Sequence, residues 1–75
     1  MSIYQHYKTL LTEVVYMEKR DNPCDKLRIR QVIKDTLDSY CRDIDDHTMR
    51  GEISERKAEQ FKSWLESYAC SLHPL

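Results

Sequence analysis

A single glycine, Gly51, and only two prolines, Pro23 and Pro74, punctuate the 75 residues. Small β-barrels and sandwiches need many turns, and a chain this poor in turn residues cannot supply them. Charge of one sign is also lacking: 12 Lys and Arg face 13 Asp and Glu, a formal net charge of −1. Proteins that grip nucleic-acid phosphates carry a basic excess, so nucleic acid is an unfavoured partner. No apolar run approaches the ~18 residues of a membrane span, and the first twenty residues lack the basic-then-apolar layout of a secretory leader. Three cysteines permit at most one internal disulfide, whereas small secreted domains carry an even and denser set. The expectation is a cytoplasmic, reduced protein with no membrane contact.

What is present is helical periodicity. A chain with 40% hydrophobic residues is too apolar for disorder, yet its length supports only one thin core, worth ~3–5 kcal/mol. Ser2 and Gln5 fit a capping box. Ile3, Tyr7, Leu10, Val14 and Met17 follow in alternating steps of four and three, the seam of a packed helix. Tyr4, Leu11 and Val15 widen that stripe enough to reach two neighbours. Asn22 is the expected N-cap of a second helix, with Pro23 at its first position, where a missing N–H costs nothing.

The second core face reads Ile29, Ile33, Leu37, Tyr40 and Ile44, flanked by Val32 and Cys41. Gly51 falls where a helix needs a left-handed terminating residue. Ser54 is the cap of a third helix, with Ile53 as a hydrophobic staple on Ala58. Ala58, Phe61, Leu65, Tyr68 and Leu72 form its stripe, and Pro74 stops it. Short connections force antiparallel neighbours. The prediction is therefore all-α: a single helical domain over 1–75, folded as an antiparallel three-helix bundle with helices at about 2–19, 23–48 and 54–72, which dimerises into a larger helical bundle.

No motif specifies a reaction. The stretch from Asp46 to Lys57 has the length of an EF-hand loop and a glycine in sixth place, but Arg50 and Lys57 stand where oxygen ligands are required. Cys24, Cys70 and His73 meet at one end of such a bundle, three ligands where a closed structural zinc site takes four. No metal and no other cofactor are expected. His6 and His47 approach Asp43, Asp45 and Asp46 at the other end, without an oriented nucleophile or an oxyanion hole, so no catalytic residue is assigned. Asp45 and Asp46 oppose the macrodipole at a helix C-terminus, and are expected to fray it or to meet a basic partner.

Two features point to binding. The second helix is basic first, at Lys26, Arg28, Arg30 and Lys34, and acidic later, at Asp38, Asp43, Asp45 and Asp46. Antiparallel self-pairing of two copies sets each basic half against an acidic half. Phe61, Trp64 and Tyr68 share one side of the third helix, with Trp64 on its flank, and Tyr16 projects from the far side of the first. Large aromatic residues left at a rim are the usual anchors of protein–protein contacts. The expected role is a small non-enzymatic, homodimeric protein-binding module that modulates a partner protein. It belongs to the size class of regulators, adaptors and inhibitors, including those carried by phages and mobile elements. The alternative is a small helical DNA-binding transcriptional regulator using the basic half of the second helix.

Overall fold

The computed structural model describes residues 3–73, which form three helices: α1 (Ile3–Asp21), α2 (Lys26–Met49) and α3 (Glu55–Leu72). Each helix touches both of the others, giving the three-helix bundle that the periodicity predicts. Ser2 and Pro74, the expected first cap and last stop, lie outside the described residues.

The first connection differs from the prediction. Asn22 completes α1 rather than opening α2: its backbone N–H donates to the Glu18 carbonyl at 2.8 Å and its side-chain amide to the Glu18 carboxylate at 2.9 Å. Asn22, Pro23, Cys24 and Asp25 then make a tight turn closed by the Asp25 N–H on the Asn22 carbonyl, 3.2 Å. The fixed φ of proline suits the second position of such a turn as well as the first of a helix. Asp25 decides between them, because its carboxylate accepts from the Arg28 N–H at 3.0 Å and caps α2 three residues later than expected.

The second connection is as predicted. Gly51 has φ of +78°, and the Glu52 N–H reaches the His47 carbonyl while the Gly51 N–H reaches that of Thr48, both at 3.0 Å. This is the Schellman pattern, which satisfies the last carbonyls of α2. A Cβ at Gly51 would meet nothing within 4 Å, so the only penalty of a side chain there is the left-handed backbone. Gly51→Ala is therefore expected to cost about 1 kcal/mol. A chemical denaturation curve that moves by less than half of this contradicts the assignment.

Ser54 caps α3 through the Lys57 N–H at 3.2 Å, and Ile53 packs against the core just ahead of it. At the far end the Lys19 ammonium, on α1, donates to the Leu72 carbonyl. The last turn of α3 has no basic residue of its own, so α1 supplies the cation that its dipole favours.

Each helix contributes one row to a common core: Tyr7, Leu11 and Val15; Ile29, Ile33, Leu37 and Ile44; Ala58, Phe61, Leu65 and Ala69. On α1 this corrects the predicted seam. Leu10 and Val14 are only half-buried and Met17 is 54% exposed. Wedged between two neighbours, α1 buries the middle of its broad apolar arc and leaves one edge outside. Helix direction follows from pairs that ascend together, Tyr4 with Phe61 and Thr12 with Tyr68, so α1 and α3 run parallel. Tyr7 with Tyr40 and Glu18 with Arg28 place α2 antiparallel to α1. Among the described residues no helix is long and apolar enough to cross a membrane.

Candidate functional site

The seam between α1 and α3 carries an aromatic cluster. Phe61 sits at its base, 7% exposed. The Tyr4 ring stacks on Phe61 with centroids 5.9 Å apart and meets Trp64 edge-on at 5.3 Å, while Phe61 and Trp64 stand 6.0 Å apart. These separations and tilts lie in the favourable range for aromatic pairs. Trp64 is thus held from below and from one side, yet remains 45% exposed. Tyr4 is the member that sequence reasoning did not single out as functional. Its only signal is its place at the edge of the α1 stripe.

The seam continues upward. The Lys8 ammonium lies over the Tyr68 ring at 4.8 Å. The Thr12 hydroxyl donates to the Lys8 carbonyl at 2.8 Å, which leaves the Tyr68 hydroxyl to donate to Thr12 at 2.7 Å. The structure therefore brings Phe61, Trp64 and Tyr68 together with Tyr4 and Lys8. Tyr16 is separate: 74% exposed, it lies twelve residues beyond Tyr4, ~18 Å along the helix.

The charges of α2 divide in the same way. Lys26, Arg28, Arg30 and Lys34 are all exposed. Arg28 lies 3.8 Å from the Glu18 carboxylate, and Lys26, Arg30 and Lys34 form no ion pair among the described residues. The acidic end does not fray, although Asp45 and Asp46 are both exposed. Asp45 pairs with Lys62 of α3 and Asp46 with Arg50, so α2 stays helical to Met49. The hydrogen bond from Lys62 to Asp45 holds that ammonium's pKa above its ordinary value. His47 is not simply solvated: its Nδ1 meets the Glu52 carboxylate across the Schellman turn. His6 packs edge-on against Tyr7 at 5.6 Å.

Cys24 and Cys70 are exposed thiols, and Cys41 is half-buried. Burial raises the Cys41 pKa against the opposing pull of Lys62, which makes it a poor nucleophile at neutral pH. Among the described residues no three His, Cys, Asp or Glu side chains converge as a metal site. Asp46 to Met49, the start of the calcium-loop-like stretch, is the last turn of α2.

Tyr7 and Tyr40 lie with ring centroids 4.9 Å apart beside Asp43. Burial first, and the Asp43 carboxylate second, raise both phenol pKa values above the ordinary value of 10.0. The folded state therefore favours the neutral phenol. The stability this contributes is fully present below pH ~10 and is lost as pH rises through the raised folded values. Lys62, also raised, acts in the same direction. Thermal unfolding followed by circular dichroism should show a falling midpoint above pH ~10, and a flat midpoint through that alkaline range would refute the coupling.

No family model, curated protein or solved structure matches the chain.

Proposed function

We propose that the chain is a small non-enzymatic protein-binding module, homodimeric and cytoplasmic, that modulates a partner protein as a regulator, adaptor or inhibitor. The observation that carries this reading is Trp64, a large ring fixed between Tyr4 and Phe61 with nearly half of its surface open. Trp is among the residues that most often dominate binding energy at interfaces. A ring already held by two neighbours loses little freedom on docking, so little of its contact energy goes into ordering it. The matching partner surface is an apolar recess with an acceptor for the indole N–H, bordered by an acidic or polar group beside Lys8. The test is affinity capture with the native chain and with Trp64→Ala, followed by mass spectrometry. The reading expects a partner retained by the native chain and lost by the variant at unchanged helicity.

The DNA-binding alternative has one observation in its favour, the exposed Lys26, Arg30 and Lys34, which form no ion pair among the described residues. Against it, Asp35, Asp38 and Glu66 line the same shallow groove as Lys34, and they repel phosphate. A salt-sensitive gel shift supports this alternative, and the absence of any shift at low salt removes it.

A further inference from the structure

We infer that a second copy of this chain docks on the seam between α1 and α2, about a two-fold axis that sets Arg28 of one copy against Asp43 of the other. The inference rests on the homodimeric reading above and assigns its face and register.

The helix edges define the seam. Thr12 with Tyr68 and Lys19 with Leu72 turn one edge of α1 toward α3. Its opposite edge carries Leu10, Val14 and Met17, spaced by four and three; Leu10 packs against the core, while Val14 and Met17 are the part of the apolar stripe that the bundle leaves outside. On α2, Asp45 with Lys62 marks the α3 edge, while Arg28 near Glu18 and Asp43 beside Tyr7 mark the α1 edge. That α1 edge also carries Val32. Met17 is 54% exposed, and Val14 and Val32 are half-buried without being packed against the core. Elsewhere the outer surface of α2 is densely charged, through Arg30, Lys34, Asp35, Asp38 and Arg42. The α1–α2 seam is thus an apolar strip with a cation near one end and an anion near the other.

Charge placement identifies the occupant. An isologous interface must be complementary to itself. Arg28 and Asp43 are fifteen residues apart, ~22 Å along the helix, and Thr36 lies midway between them. A two-fold axis beside Thr36 exchanges the two positions, so each copy meets a cation with an anion at both ends while the apolar edges cover one another. A broad face of the bundle, whose long extents are 42 and 21 Å, can supply the ~800 Å² per partner of a stable interface. A thin single core also gives the chain a reason to gain stability by association. The Trp64 face lies on the α1–α3 seam and stays open, twice per dimer.

The test uses light scattering and sedimentation on the full chain at micromolar concentration, with circular dichroism on every variant. The native chain is expected to be a dimer. Met17→Glu places a charge at an exposed position and should weaken association about tenfold without loss of helix. Arg28→Glu and Asp43→Lys should each weaken it by a similar factor, since each turns both end pairs from attraction to repulsion. Mixed in equal amounts, these two variants should form a heterodimer within about threefold of the native affinity, because every introduced charge then meets its opposite. A native dimer indifferent to Met17→Glu, whose two charge variants fail to pair on mixing, overturns this face and leaves the homodimer standing on another. A monomeric native chain overturns both.

Discussion

Leu65→Ala is expected to unfold most of the isolated chain at room temperature. Leu65 is fully buried in the one cluster to which all three helices contribute, together with Leu11, Ile33 and Ile44. Removing a leucine side chain from such a site costs ~2–5 kcal/mol, part of it the transfer of the lost methyl groups and part the cavity they leave. A bundle of this length has ~3–5 kcal/mol in total, so the loss consumes most of it. No disulfide or metal site among the described residues compensates. Association on another face can offset some of the loss, which makes the result concentration-dependent. Urea unfolding at several protein concentrations measures both effects. A shift below ~1 kcal/mol would mean that the core is not built around this residue.

Trp64→Ala should behave in the opposite way. The ring gives the fold two aromatic contacts, each worth ~0.5–1.5 kcal/mol beyond its area, and only about half of its surface is covered. The fold should therefore lose less than with Leu65→Ala. Partner binding should fall by more than ~2 kcal/mol, a factor of about thirty, as expected for a central aromatic anchor. Trp64→Phe keeps an aromatic surface but removes the indole N–H, and should lie between the two. Tyr16→Ala is the natural comparison: its ring is more exposed, but no neighbouring ring holds it.

The elements were largely legible in the sequence because helix periodicity and caps are local signals. Gly51 and Ser54 occupy the positions their chemistry predicts. The misplaced start of α2 shows where local signals compete: Asn22-Pro23 and Asp25 are both good caps, and tertiary context chose the second. On α1 the stripe was broad enough to hold two seams. Spacing alone cannot tell that Leu11 and Val15 lie at the centre while Met17 lies outside, because that depends on where α3 docks. Ala69 was overlooked because a small residue adds little to an apolar pattern, though close helix packing needs one. Trp64 was legible as a flank residue. Its support by Tyr4 was not, since those residues are sixty positions apart and only the parallel docking of α1 and α3 joins them. The pairing of the exposed Asp45 with Lys62 was hidden for the same reason.

The measurement that bears most directly on the central claim is the affinity of a captured partner for native and Trp64→Ala chains, with unfolding curves recorded on the same samples. The account predicts a variant that keeps the helical spectrum and a cooperative transition, yet binds about thirtyfold or more weakly. A Trp64→Ala chain that stays folded and binds its partner as tightly as the native chain would contradict it.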